Sequence, residues 1–332
     1  MRIIDMHCDT IMALTNNPAE LRKSENMIDL EKLQKGNYLL QCFAMFVPYV
    51  SKDGGDYSPF EKCHKMIDLY YQELEKNTDL IRPAFTYQDI ENNIKDGKMT
   101  ALLTIEEGGV CLGNIEFLRN FYRLGVRMIC LTWNFKNEIA TPNIDYFKFK
   151  PDMKKEDFIK PNTTDGLTEF GIQVVKEMNR LGMVIDCSHL GDKGFYDVIE
   201  YSTKPIVCSH SCVRSLCNFP RNMTDDMLLK LKENGGVVGI NYCHDFIKSD
   251  PSVATVKDVC DHIDYVKNLI GIDYVGLGSD FDGISNKDIE LKDASMMPLV
   301  LDELKARGYT EEEIDKVCFK NVLRVFKENF NA

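Results

Sequence analysis

Short apolar runs alternate with longer amphipathic segments along almost the whole chain, and this alternation limits the possible folds more than any other feature. Such an order predicts parallel strands joined and covered by helices. Eight apolar runs are present, at residues 3–9, 39–47, 101–107, 127–133, 182–189, 205–210, 235–242 and 273–280. Eight repeats favour an α/β fold of the closed (β/α)8 TIM-barrel type, and a doubly wound open sheet is the competing architecture.

The segments between these runs have helical periodicity. The clearest is 166–181, where apolar residues recur at three- and four-residue steps and Gly182 follows at the expected end. The run at 39–47 precedes an unusually long helical stretch, and 134–165 is predicted as a long loop. No repeat or Gly/Ser linker marks a boundary, so residues 1–332 are predicted to form a single domain. The other predicted helices lie at 115–124, 192–202, 224–234 and 254–270.

Charge and hydropathy exclude several classes of partner. The 332 residues include 40 Lys and Arg against 52 Asp and Glu, a net charge of −12 that repels nucleic acid and anionic lipid. No uncharged stretch approaches the roughly 20 apolar residues that a membrane span needs. The first ten residues, MRIIDMHCDT, carry two acids where a signal segment would be apolar. We therefore expect a cytoplasmic protein with no nucleic-acid or membrane partner.

The twelve cysteines do not form a disulfide or zinc-module pattern. They include no C-x-x-C pair, and most lie in apolar runs, where a free thiol behaves as a small apolar group. We expect reduced thiols. Cys187 and Cys208 each lie two residues before a histidine, so strand alternation predicts that they fill the barrel interior beneath it.

Potential metal ligands fall at the ends of the predicted strands. Three of the six histidines lie there, and in a barrel all strand ends of this kind converge on the mouth where active sites lie. On spacing alone, Glu106 and Glu107 are equally good candidates for one ligand. The other strand-end candidates are His7, Asp9, His189, His210 and Asp280.

This donor set indicates a catalytic metal centre. Imidazole and carboxylate ligands with no thiolate suit zinc or a similar divalent ion. Six groups are too many for one ion, whereas two ions about 3.5–4 Å apart need a bridging carboxylate and can share a water whose pKa falls toward 7. Each residue alone has an ordinary explanation, as a packed histidine or a turn aspartate. Their joint placement is improbable by chance, because burying so much charge is costly without ions.

At these residues the chain resembles a known family, the renal-type or membrane dipeptidases, which are zinc metallopeptidases also called dehydropeptidases. The resemblance implies a (β/α)8 barrel with two Zn²⁺ ions, a dipeptide substrate that includes D-residues at the second position, and a possible homodimer. The matching stretches cover nearly the whole chain and are DMHCDT at 5–10, IEEGG at 105–109, 169–189, CSHS at 208–211, PRNMTDD at 220–226 and GLGSDFDG at 276–283.

The resemblance also implies a role for each matching residue. One zinc is assigned to His7 and Asp9, and the other to His189 and His210. The family pattern selects Glu107 over Glu106 as the carboxylate that bridges them.

Two further residues match family positions outside the metal ligands. Asp280 matches the acid/base carboxylate. Arg221 matches the residue that binds the free carboxylate of the substrate, for which a planar guanidinium is well suited.

One departure from the family concerns the substrate site. The renal enzymes have a histidine where this chain has Trp133, and an indole has one donor and does not titrate. We expect Asn134 or the second zinc to act on the scissile carbonyl instead. Two alternatives stay open: another metal-dependent barrel hydrolase acting on cyclic amides, lactones or phosphoesters, and a catalytically weak metal-binding barrel.

Overall fold

Parallel strands close into a barrel in the computed structural model, which describes residues 2–50, 58–150, 152–154 and 158–330. Strand β2 pairs with β1 on one side and with β4 on the other, in register from Leu40–Thr100 to Phe46–Glu106. β3 is an extra strand on the outer edge of β4. The described strands are β1 (Ile3–Asp5), β2 (Tyr38–Phe46), β3 (Ile81–Pro83), β4 (Met99–Glu106), β5 (Met128–Cys130), β6 (Val184–Asp186), β7 (Val207–Ser211), β8 (Val237–Ile240) and β9 (Val275–Leu277).

The closed ring of eight strands confirms the predicted (β/α)8 barrel and excludes the open sheet. Each predicted apolar run overlaps one of the ring strands. β3 was missed, because three residues that include a proline give no strand pattern. Several strands are shorter than predicted: β6 and β9 each end three residues before a candidate ligand, so the ligands lie on the loops just above the barrel.

Helices cover the outside of the ring, and the five predicted from periodicity are present with ends within three residues of the expected ones. A threonine side chain accepts a backbone N–H at the start of several helices, as Thr168 does from Gly171. Gly182 ends the same helix at φ 78°, a left-handed conformation that favours glycine. The described α-helices are α1 (Thr10–Asn16), α2 (Leu30–Lys35), α3 (Pro59–Lys76), α4 (Tyr87–Lys95), α5 (Ile115–Arg123), α6 (Glu169–Leu181), α7 (Asp192–Tyr201), α8 (Asp225–Asn234), α9 (His244–Ile247), α10 (Val256–Ile270), α11 (Pro298–Ala306), α12 (Glu311–Asp315) and α13 (Asn321–Asn329).

The long elements and the loop also agree with the prediction. The 18-residue α3 is the long helical stretch expected after β2. The segment 134–165 is irregular over most of its described residues and includes a 3₁₀ turn at Tyr146–Lys148. Residues 151 and 155–157 of the predicted loop lie outside the described residues. No helix in the described ranges combines the length and the apolar character that crossing a bilayer requires.

Apolar side chains form an inner and an outer layer. Leu102, Val184 and Val207 belong to the inner layer, which also receives residues of α13. Cys187 and Cys208 belong to the outer layer between strands and helices, so the prediction that they fill the barrel interior is wrong. Alternation explains this placement, because each cysteine is an odd number of residues from the inward valine of its own strand.

Candidate metal centre and substrate cleft

The carboxylate of Glu106 lies at the centre of the barrel mouth. Its Oε1 is 2.9 Å from His189 Nε2 and 3.5 Å from His210 Nε2. Its Oε2 is 3.2 Å from His7 Nε2. The two oxygens of one carboxylate therefore face two separate groups of candidate ligands, which is the arrangement a bridging ligand requires.

The expectation that Glu107 bridges the two groups is wrong on this geometry, since Glu106 occupies that place. Leu102 belongs to the inner layer and Ile105 to the outer one, so alternation along β4 directs Glu106 inward. Glu107 follows the strand with φ 93°, and its side chain turns away from the mouth.

Glu107 instead organises the loop after β5. Its carboxylate accepts hydrogen bonds from Gly109 N at 2.7 Å, Trp133 N at 2.9 Å and Asn137 Nδ2 at 2.5 Å. The residue is fully buried, and burial raises the pKa of its carboxyl to about 7 against these hydrogen bonds. Glu107 is therefore a structural anchor that fixes the backbone of Trp133.

The second ligand group contains His7, Asp9 and Asp280, each of which offers an atom within 4.8 Å of the others. His7 Nε2 is 3.8 Å from Asp9 Oδ1 and 3.9 Å from Asp280 Oδ1. His7 Nε2 and Asp9 Oδ1 are buried and have no hydrogen-bond partner among the described residues. Asn241 Nδ2 donates to the other oxygen of Asp280 at 2.9 Å, so Asp280 Oδ1 is the oxygen directed at this group.

Burial shifts the pKa of several groups in the mouth. It raises the pKa of Glu106 to about 8 and that of Asp280 to about 6. It lowers the pKa of His189 and His210 well below the usual value, so both imidazoles are neutral at pH 7. For His7 burial acts in the same direction, but the carboxylates of Glu106 and Asp9 outweigh it and raise the pKa. The His7 side of the mouth therefore stabilises a positive charge.

A buried carboxylate orients the ring of His210. Ser209 Oγ donates to Asp186 Oδ2 and lies 2.7 Å from His210 Nδ1. Because the hydroxyl proton is given to Asp186, the ring must donate from Nδ1, which leaves the Nε2 lone pair free for a metal. Asn134 orients the His189 ring in the same way. Its Oδ1 lies 2.9 Å from His189 Nδ1, and because an amide oxygen can only accept, the ring donates from Nδ1 and keeps its Nε2 lone pair free.

The same aspartate–serine contact occurs twice around the barrel. Asp186 Oδ1 accepts from Ser209 N at 2.9 Å, and Asp5 accepts from Ser279 N at 2.8 Å and Ser279 Oγ at 2.6 Å. These contacts lie at the seams β6–β7 and β1–β9, each of which has a single residue pair in register. We call them the two Asp–Ser clasps, and they hold together the strands that lead to the metal ligands.

Arg221 lies in a cleft beside the metal ligands. Its Nη1 donates to Ser211 Oγ at 3.0 Å and its Nη2 to the His210 carbonyl at 2.9 Å, while its buried Nε has no hydrogen-bond partner in the part of the chain that the structure describes. The guanidinium is 5.6 Å from the ring of Phe246. The cleft, of about 270 Å³, is also lined by Asn134 and His189.

Trp133 is not among the residues that line this cleft. Its ring packs against Phe46 at 4.8 Å, Tyr146 at 5.4 Å and His189 at 6.2 Å between centroids. It therefore covers one side of the His189 ring, and Tyr146 connects it to the cleft. Asn134 lines the cleft but has its oxygen engaged with His189.

The geometry adds residues that sequence reasoning missed: Asp5, Asp186, Ser209, Ser279 and Asn241. A weak signal was available in Asp5-x-His7 and in Ser209 directly before His210. The aspartate partner of each clasp serine is distant in sequence, so the sequence did not predict which residues pair.

The residues present fit a pair of divalent ions. Two sets of imidazole and carboxylate donors, Glu106–His189–His210 and His7–Asp9–Asp280, lie on opposite sides of one carboxylate. The buried partnerless atoms His7 Nε2 and Asp9 Oδ1 are donor atoms that a cation would satisfy.

Comparison with known proteins agrees with this geometry. The sequence profile of the membrane dipeptidase family, peptidase family M19, matches residues 1–332. The dipeptidase aclJ of Aspergillus oryzae is 34% identical over 304 residues, covering 90% of this chain and 69% of the fungal protein. An uncharacterized protein of Klebsiella pneumoniae from the pqqA 5′ region is 36% identical over 271 residues, covering 79% and 96% of the two chains.

A solved structure shows the same fold. The metallopeptidase of Rhodobacter sphaeroides, liganded with a phosphinate mimic of the dipeptide L-Ala-D-Ala, matches with a TM-score of 0.86 at 24% identity and covers 99% of both chains. The profile match spans the whole chain, and the fungal relative exceeds 30% identity over most of it. The chain therefore belongs to the membrane dipeptidase family, peptidase family M19, and is an enzyme of the metal-dependent dipeptidase class.

Proposed function

We propose that this protein is a binuclear zinc dipeptidase in which Glu106 would be a ligand shared by both ions. The observation that carries the proposal is the position of the Glu106 carboxylate, with one oxygen toward His189 and His210 and the other toward His7. Zinc suits the imidazole and carboxylate donors. When bound, the ions supply Lewis acidity that polarises the scissile carbonyl and lowers the pKa of the attacking water.

Asp280 holds and moves the proton. Asn241 fixes one of its oxygens and leaves Oδ1 facing the reaction site. Burial raises the pKa of this carboxyl to about 6, so it is mostly ionised at pH 7 yet able to carry a proton during turnover. Asp280 accepts a proton from the attacking water and gives it to the leaving amine.

Arg221 binds the free carboxylate of the substrate. Its guanidinium is buried in the cleft with an unpartnered Nε, and a carboxylate is the anion that matches a planar donor group. Arg221 also reaches the carbonyl of the ligand His210, so a carboxylate bound to it lies close to the metal ligands, which favours dipeptides. Asn134 acts on His189, and its amide nitrogen is the group that we propose contacts the carbonyl.

Three finer points extend the proposal. Cleavage of dipeptides with a D-residue at the second position is supported by the L-Ala-D-Ala mimic bound to the Rhodobacter sphaeroides relative. A cytoplasmic location is supported by twelve cysteines that are all free. We keep the homodimer as a prediction that size-exclusion chromatography with light scattering can test.

The test is release of amino acids from a panel of L,L and L,D dipeptides by the zinc-reconstituted protein. Asp280→Asn should lower the rate at least about a hundredfold, and chelation should abolish it. Asp288→Asn, which changes an exposed aspartate of the same loop region, is the matched control and should keep the wild-type rate. If two zinc ions bind and no dipeptide is cut, the proposal is wrong, and cyclic amides, lactones and phosphoesters become the substrates to test.

A further inference from the structure

The cleft beside the metal ligands has two apolar walls. Tyr146 and Phe158 form one wall, with rings stacked at 5.6 Å, and both come from the segment after β5. Phe219 and Phe246, at 5.1 Å, form the opposite wall, and Arg221 lies against the second of these rings. Phe158, Phe219 and Phe246 are half-buried, so each presents part of its ring to the cleft. Partly exposed rings on both sides of a concave site favour an apolar ligand group.

The described part of the cleft has few charged side chains, and its one cation is the group that binds the substrate carboxylate. Among the described residues that line it, Arg221 carries the one positive charge. His189 belongs to the metal centre, and the remaining lining side chains apart from Asp245 are apolar or carry no formal charge. Asp245 is exposed at the rim and adds a negative charge. Once Arg221 is paired with a substrate carboxylate, no second Lys or Arg among the described lining residues remains to pair with an acidic side chain.

Covalent geometry decides which part of a dipeptide meets these walls. The C-terminal α-carbon is bonded directly to the carboxylate, so its side chain starts next to the Arg221 guanidinium. The scissile carbonyl carbon is three bonds from that carboxylate carbon, in the direction of His189, which lines the same cleft. The side chain of the second residue is therefore the group placed between the Phe219–Phe246 wall and the Tyr146–Phe158 wall.

We propose that this cleft selects dipeptides whose second residue has a large, uncharged, apolar side chain. The inference rests on the proposed dipeptidase function and specifies its substrate class. Burying a leucine-sized side chain against these rings should raise kcat/KM about 10- to 100-fold over glycine at the same position. An acidic side chain finds no second Lys or Arg among the described lining residues and lies in the cleft that Asp245 also lines. Dipeptides with glutamate second should therefore be cleaved no better than those with glycine second.

The experiment measures kcat/KM for dipeptides with alanine first and glycine, leucine, phenylalanine or glutamate second, in both configurations of the second residue. Phe158→Ala and Phe219→Ala each remove part of one wall and should reduce the leucine-to-glycine ratio about tenfold. Phe147→Ala is the matched control, because this exposed phenylalanine lies next to the same segment but does not line the cleft. It should leave the ratio unchanged.

The outcomes separate the two proposals. Cleavage of all four dipeptides at similar kcat/KM, or an unchanged leucine-to-glycine ratio in both wall variants, overturns the selectivity and leaves the dipeptidase function intact. If no dipeptide is cleaved, the function fails, and calorimetry with free leucine and free glutamate on the zinc-loaded protein decides the selectivity. Leucine binding that exceeds glutamate binding and weakens in Phe219→Ala supports the apolar cleft, and equal binding contradicts it.

Discussion

Replacing Ser209 by alanine tests whether the clasp at β6–β7 orients a metal ligand as well as holding two strands together. The change removes the hydroxyl between Asp186 Oδ2 and His210 Nδ1 and leaves both buried atoms without this partner. At about 1–2 kcal/mol for each buried polar atom left unpaired, the free energy of unfolding should fall by about 2–4 kcal/mol. Loss of the group that orients a ligating histidine should also weaken zinc affinity about 10- to 100-fold.

The other clasp provides a matched control. Ser279→Ala removes a hydroxyl that contacts Asp5 Oδ2, the His7 carbonyl and Phe281 N, but Ser279 contacts no histidine ring in the described structure. It should lose similar stability in chemical denaturation, while its zinc affinity stays within about threefold of wild type, less than 1 kcal/mol. Competition with a chromophoric chelator measures the affinity. Equal loss of zinc affinity in both variants, or in neither, would refute the role assigned to Ser209.

Two further predictions concern packing and charge. An ideal Cβ at Gly283 would lie 2.1 Å from Asp9 Oδ2 and 2.6 Å from Asp280 Oδ1. Gly283→Ala should therefore displace these two ligands and lose bound metal, while its far-UV circular dichroism spectrum stays native. Retained metal would contradict the close approach. Hydrogen bonds from Arg180 and Arg119 lower the pKa of Glu177 to about 2, so its contribution to stability is present above pH 4.5 and is lost as the pH falls toward 2. Glu177→Gln should cost about 1–2 kcal/mol at pH 7, after screening of the exposed arginines, and should flatten the acid limb of the stability curve. Glu116→Gln, at an exposed site, is its control.

The barrel was predictable because its evidence is periodic. Eight apolar runs separated by amphipathic segments specify strand and helix order, and the handedness and short connections of parallel folds then leave few arrangements. The strand ends were less predictable. His189 and Asp280 have φ values of 67° and 63°, and this left-handed backbone breaks the alternation from which side-chain direction was inferred.

The choice between Glu106 and Glu107 shows a second limit. In a barrel both faces of a strand are buried, so the run before these residues is apolar on both sides and does not show which side is inward. The family pattern was matched one residue away from the carboxylate that the structure places in the mouth. Packing decides which glutamate enters the mouth. Ile105 belongs to the outer layer, so the next residue on the strand, Glu106, must point inward.

Arg221 and the clasps show a third limit, which is distance along the chain. The contacts that orient Arg221 come from Ser211 and the His210 carbonyl, and the clasp serines lie 23 and 274 residues along the chain from their aspartates. Periodicity within a segment carries no information on such contacts between segments. The residue types were readable from the sequence, and their partners needed the structure.

The most direct test of the account is the zinc content of Glu106→Gln and Glu107→Gln, measured by inductively coupled plasma mass spectrometry after equilibration at limiting free zinc. Wild type and Glu107→Gln should each hold two ions per chain, because the hydrogen bonds of the Glu107 carboxylate in the described structure go to Gly109, Trp133 and Asn137 and to no ligand. Glu106→Gln should lose at least one, because its carboxylate faces both ligand groups. Two ions in Glu106→Gln together with a loss in Glu107→Gln would contradict the assignment of the bridging carboxylate.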